Sequence, residues 1–206
     1  MKFMLLFGRK VSFRNEILIV LGTIGVLFLL PIFAVAVLAS SGLGIVADAL
    51  VSVNPVTHKV EVRDPSGLIV ANVELSTTWP TRGVITQEFG VPNLPYEKHH
   101  TGIDIAGNLG TPVTPSMAGK VIDVGSLTEG CGKCVYIDHG SHITSSYSHL
   151  SEIKAVKGQE VKPGDVIGLQ GQEGWASGVH LHYSVKVYGV LVNPRTFMVG
   201  EPEKLL

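Results

Sequence analysis

The chain has 206 residues, 45% of them hydrophobic, and a formal net charge of −1. That length holds one domain of ordinary size, a targeting segment and a short connector. The charge balance leaves no electrostatic case for a nucleic-acid partner, which would require a clustered excess of Lys and Arg.

No Asp, Glu, Lys or Arg occurs between Glu16 and Asp48, and 17–39 is almost wholly apolar. A helix of roughly 20 residues, rising about 1.5 Å per residue, crosses the hydrocarbon core of a bilayer, so 17–39 is predicted to be a transmembrane helix. Pro31 is tolerated within it as a kink. Lys2, Arg9, Lys10 and Arg14 precede the run, whereas the first charge after it is Asp48. The positive-inside bias then places 1–16 in the cytoplasm and exports everything after about residue 42, to the periplasm or the exterior. A cleaved signal peptide competes, because small residues lie around Ala36 and Ser40, but its apolar region normally runs only about 7–15 residues. The retained single-pass anchor is the preferred reading.

Residues 40–78 read as a connector. Within it the alternation of Lys59, Val60, Glu61, Val62 and Arg63, followed by the turn cluster Asp64, Pro65, Ser66 and Gly67, predicts a hairpin. From Trp79 the pattern becomes short β-branched runs broken by Gly, Pro and Asn, as in Val121, Ile122 and Val124 or Val135, Tyr136 and Ile137. No long stretch shows a helical apolar period. Residues 79–200 are therefore expected to form an all-β domain of mostly antiparallel sheet, a sandwich or an incompletely closed barrel.

Four of the eight His residues sit in contexts that suggest one metal site. His100 and Asp104, four apart, would lie about 13 Å from each other on an extended strand, too far to share an ion. The chain must bend between them, and Gly102 accepts unusual dihedrals at little steric cost. His99 is the poorer candidate, because the same offset from it falls on Ile103. His180 and His182 flank Leu181 in a β-branched and aromatic run, so strand alternation puts both imidazoles on one face. His149, after another strand-like run, could reach the same face. Two His and a carboxylate leave a fourth position on zinc open for water, the arrangement of a catalytic site. Zinc brings the pKa of that water toward neutrality and polarises a carbonyl oxygen, and a nearby His can exchange protons near neutral pH.

Taken in order, His100-Thr101-Gly102-Ile103-Asp104, Tyr147-Ser148-His149-Leu150 and Val179-His180-Leu181-His182-Tyr183 resemble the signature motifs of lysostaphin-type (LytM-like) zinc peptidases. The resemblance runs from about Trp79 to Phe197. It includes Trp79-Pro80, Phe89-Gly90, the Ile137-Asp138-His139-Gly140 run, the Val161-Lys162-Pro163-Gly164-Asp165 hairpin and Asn193-Pro194. It implies that His100, Asp104 and His182 bind one Zn2+ per chain, and that His149 and His180 activate water and stabilise the tetrahedral intermediate, with the general base left open between them. It implies endopeptidase cleavage of peptidoglycan stem peptides or cross-bridges by a mostly antiparallel β domain. Some domains of this kind have lost ligands and activate other wall hydrolases instead. All five positions here carry the required residue types, which favours an enzyme, with a regulatory protein partner left open.

Cys131 and Cys134 form a lone Cys-x-x-Cys. A structural zinc site generally needs four ligands and a redox motif opens a helix, so in an oxidising exterior a disulfide closing a hairpin loop is preferred over two free thiols. His139 is expected at a strand end in a structural role, and His58, His99 and His142 at the surface. Trp175 is expected either to line the substrate groove or to anchor its loop. The Val161–Gly168 stretch also resembles the hairpin of biotinyl and lipoyl carrier domains, but Lys120, the nearest acceptor candidate, enters a strand instead of a tight turn.

Overall fold

A computed structural model describes residues 47, 49–76, 78–91, 99–126 and 129–205. The transmembrane helix expected at 17–39 lies outside the described residues, and among those described no helix is long and apolar enough to cross a membrane.

The described residues form two antiparallel sheets within one compact unit, 43–206. The smaller sheet holds β1 (Val51–Val53), β2 (Val60–Arg63) and β3 (Ile69–Val73) in that order. The predicted hairpin is its β2–β3 half. Asp64 closes the turn, its Oδ1 accepting the N–H groups of Ser66 and Leu68 at 2.8 and 3.1 Å, as an Asx turn does. Val51, Val60 and Val62 are buried in the same apolar cluster as Val121, Val135, Tyr147 and Leu181, which lie C-terminal to them. What reads as connector in sequence thus contributes core.

The larger sheet comprises β4 (Val84–Gln87), β5 (Ile103–Ala106), β6 (Pro112–Val113), β7 (Gly119–Gly125), β8 (Lys133–Asp138), β9 (Ile143–Ile153), β10 (Glu160–Val161), β11 (Gly168–Gln170), β12 (His180–Val187) and β13 (Val190–Val192). Its main path runs β10-β7-β8-β9-β12-β5-β4, with β11 joining β6 to β9 and β13 paired to β12. All its ladders are antiparallel. Among the described residues no ladder joins β10 to β4, so the sheet is not a closed barrel.

The alternation of β12 decides which way the sheet faces. Leu181, Tyr183, Val185 and Val187 are fully buried, and His180 and His182 point to the opposite, partly open face. Tyr183 lies opposite Tyr147 of β9, the two rings 5.4 Å apart at the centre of the core. Their hydroxyls are satisfied there: Tyr183 shares a 2.6 Å bond with Ser116 Oγ, and Tyr147 accepts the Ser116 N–H at 3.1 Å. Burial raises both phenol pKa values.

β9 forks the sheet. Its residues Ile143 to Ser148 pair with β12, and Leu150 to Ile153 pair with β11. His149 stands at the fork, at the edge of the face that carries His180 and His182.

Candidate active site

Register brings the first two site residues together, because Asp104 of β5 lies directly opposite His182 of β12. Such cross-strand pairs hold their side chains on one face about 5 Å apart at Cβ, and here His182 Nδ1 is 2.8 Å from Asp104 Oδ1. His100 precedes β5, and the chain bends at Gly102, which brings His100 Nε2 to 3.2 Å from the same carboxylate oxygen. The predicted bend is present, but its cause differs from the expected one. Gly102 has no positive φ. It is needed for close approach, since a Cβ there would stand 2.4 Å from the Tyr183 carbonyl oxygen and 2.9 Å from His182 Nε2.

His100, Asp104 and His182 thus form a cluster whose ligand atoms all lie within 4.8 Å of one another. His100 is 4% exposed. Burial by itself would raise the Asp104 carboxyl pKa, but hydrogen bonds from His100 and His182 outweigh it and hold the group well below the usual carboxylate range. Asp104 is therefore ionised at any physiological pH.

Each imidazole is oriented by a second partner. His100 Nδ1 donates to the Glu88 carbonyl at 3.1 Å, and a carbonyl can only accept, so Nε2 is the nitrogen presented to Asp104. His182 Nε2 lies 3.2 Å from Thr101 Oγ1, which turns Nδ1 toward the carboxylate. His149 Nδ1 donates to the Glu173 carbonyl at 2.7 Å, and His180 Nδ1 donates to the Gly178 carbonyl at 2.9 Å. The His149 and His180 rings are 4.7 Å apart, with His180 Nε2 3.7 Å from Asp104 Oδ2. Burial is the main reason the His149 pKa is pushed down to about 4.

His149 has φ of 66°, a left-handed conformation that costs a non-glycine residue on the order of 1 kcal/mol. Strain of this kind is stored where the surrounding structure over-determines a residue. Glu88, whose carbonyl holds His100, is itself gripped by Arg195 through bonds of 2.7, 3.0 and 3.1 Å. Arg195 follows Asn193 and Pro194 in the 3-10 turn Pro194–Phe197, and Glu88 and Glu201 raise its pKa further.

The remaining expectations fall as follows. Cys131 and Cys134 form the expected disulfide. His139 is structural, bonded to the Ala118 carbonyl at 2.9 Å and Ser145 Oγ at 2.7 Å. His58 and His142 are exposed, and His99 meets Phe89 edge-on at 4.8 Å. Trp175 is 74% exposed, on the loop that supplies the Glu173 carbonyl. Sequence reasoning missed Thr101, Arg195 and the acceptors at residues 88, 173 and 178. Backbone carbonyls leave no side-chain signature, so three of these carried no signal to find.

The family model for peptidase family M23 matches residues 98–194, a span that contains all five site residues. The catalytic domain of the prophage-encoded M23 protein EnpA from Enterococcus faecalis, solved as a point mutant, is 33% identical, with 60% of this chain and 97% of that domain covered at a TM-score of 0.54. The chain belongs to peptidase family M23. This bears out the motif resemblance. Among curated relatives, the DD-carboxypeptidase/endopeptidase Mpg of Neisseria meningitidis is 38% identical over 122 residues, 58% of this chain and 28% of Mpg. The murein hydrolase activator NlpD of Escherichia coli is 32% identical over 120 residues, 58% of this chain and 30% of NlpD. The chain thus matches less than a third of the length of either M23 relative.

Proposed function

We propose that this M23 chain is a membrane-anchored zinc endopeptidase that hydrolyses peptide bonds in peptidoglycan stem peptides or cross-bridges on the outer side of the cytoplasmic membrane. The observation that carries the reading is the convergence of His100, Asp104 and His182 within 4.8 Å beside the paired rings of His149 and His180, 4.7 Å apart.

The residues fit one zinc ion. Two imidazole nitrogens and one carboxylate oxygen are the donor types of catalytic zinc sites, and each His has the oriented outer partner such ligands usually have. His100 Nε2, Asp104 Oδ1 and His182 Nδ1 would hold the ion. When bound, it would supply a Lewis acid that polarises the scissile carbonyl and acidifies water.

Everything else falls to the chain's own groups. With Nδ1 of His149 and His180 committed to backbone carbonyls, Nε2 is the atom of each ring that exchanges a proton with water or substrate. Burial keeps His149 neutral near pH 7, which suits it to accept a proton from the attacking water. His180, with Nε2 3.7 Å from Asp104 Oδ2, is placed to donate a hydrogen bond from Nε2 to the oxyanion of the tetrahedral intermediate when it carries a second proton as an imidazolium, a contribution typically of two or more orders of magnitude in rate. Location rests on the apolar run 17–39 and the basic residues before it.

The test is digestion of purified peptidoglycans of differing cross-bridge type by the full chain in mild detergent, with bound metal quantified and released peptides identified by mass. The expected result is about one zinc per chain and new peptide termini that disappear in His180→Ala. A folded protein that binds no zinc would refute the reading. The NlpD relationship favours a second reading, a wall-binding hydrolase activator. An activator would release nothing alone, and His180→Ala would not impair its stimulation of a partner hydrolase.

A further inference from the structure

We infer that the disulfide-closed turn at Cys131 and Cys134 is the positioning element for His149. The inference rests on the reading of His149 as a proton-transferring group, and its structural half can be tested without that reading.

The β8–β9 ladder pairs Lys133 with Leu150 and then Val135 with Tyr147, so Ser148 and His149 together face Cys134. That is a β-bulge on β9, and bulges re-aim a side chain while taking a backbone group out of the ladder. The bulged residue is His149, at φ 66°. Its displaced N–H is caught by the Cys131 carbonyl at 2.9 Å. Its ring is held by the Glu173 carbonyl at 2.7 Å.

Both acceptors trace to the same turn. The Glu173 segment is tied to it by Trp175 N–H donating to the Gly130 carbonyl at 2.8 Å and by Lys133 Nζ, 3.0 Å from Glu173 Oε1 and 2.8 Å from the Ser151 carbonyl. The two segments interlock through glycines. A Cβ on Gly132 would come within 2.5 Å of the Glu173 backbone, and one on Gly174 within 2.2 Å of the Gly130 carbonyl oxygen.

Gly130 and Gly132 have φ of 86° and 65°, so this turn is built from the residue with the greatest backbone freedom. The Cys131–Cys134 bond closes it across that freedom and limits where the Cys131 carbonyl can stand. A disulfide whose role was only to brace the β7–β8 hairpin would make a different prediction, namely lower stability with His149 unmoved.

The experiment compares the full chain, zinc-loaded in mild detergent, with the double variant Cys131→Ala/Cys134→Ala and with Gly132→Ala, which keeps the disulfide but forces the turn away from Glu173. The readouts are the ring-nitrogen NMR signals of His149, kcat and KM for peptidoglycan peptide hydrolysis, zinc content and thermal melting. We expect one Nδ1–H tautomer of His149 in the parent chain and a mixture in both variants. We also expect kcat lower by about 10- to 100-fold, the range a small misplacement brings, at unchanged KM and zinc content. Variants that melt lower but keep the single tautomer and the parent kcat would overturn the inference. If the double variant fails to fold, Gly132→Ala decides by the same readouts. A parent chain that cuts no peptide would remove the catalytic reading and leave the tautomer signals to judge this one.

Discussion

Gly102→Ala is the sharpest probe of how the site is held. An added Cβ would stand 2.4 Å from the Tyr183 carbonyl oxygen, where contacts under 3.0 Å force something to shift. The Tyr183 atom is strand backbone flanked by a fully buried ring, so it cannot swing away as a side-chain end would. The segment before β5 and strand β12 must separate by roughly half an ångström, an overpacking strain of about 1–3 kcal/mol. At about 2–4 °C per kcal/mol for a domain of this size, melting should fall by roughly 2–12 °C. The separation pulls His182 Nδ1 from its 2.8 Å contact with Asp104, and zinc affinity should drop about 10- to 100-fold, as for loss of a ligand-orienting partner. Chelator competition measures the affinity and calorimetry the melting. Gly178→Ala is the control, because a Cβ there meets nothing within 4 Å. Parent-like zinc binding and melting in Gly102→Ala would refute the close-approach argument.

Tyr147→Phe should cost about 1–3 kcal/mol in urea unfolding, because it leaves the buried Ser116 N–H without its acceptor, while zinc content stays at one. Burial lowers the His139 pKa, so below about pH 6.5 the unfolded chain binds a proton that the folded chain refuses. The stability held by His139 is complete above that pH, declines as pH falls through it, and levels off once folded His139 is protonated. His139→Gln should reduce the slope of urea stability between about pH 7 and pH 5, and an unchanged slope would clear His139 of that role.

The strand-rich character of the large sheet and the shared face of His180 and His182 were legible because strand alternation is written in side-chain type, whereas the gathering of His100, Asp104 and His149 beside them was suggested by the motif resemblance. His180 and His182 must share a face if 180–187 is a strand, and Asp104 needs only to be paired across from them. Gly102 was assigned a torsional role where the structure shows a steric one, since close approach depends on β12, a strand some 80 residues away in sequence. The hairpin at 60–73 was found from its turn residues, but β1 and its place in the core were not. Val51 to Val53 is too short to show a period, and its burial depends on residues distant in the chain.

The imidazoles of His100, His149 and His180 each donate to a main-chain carbonyl, at residues 88, 173 and 178. An acceptor of that kind is indifferent to which side chain its residue carries. Position 178, on the loop that bears Trp175 and with open space where a Cβ would stand, can therefore change its side chain while the acceptor of His180 stays as it is, whereas Glu173 is also held through its carboxylate by Lys133. The outward surface of that loop and the orientation of the imidazole behind it are separately heritable in such an arrangement.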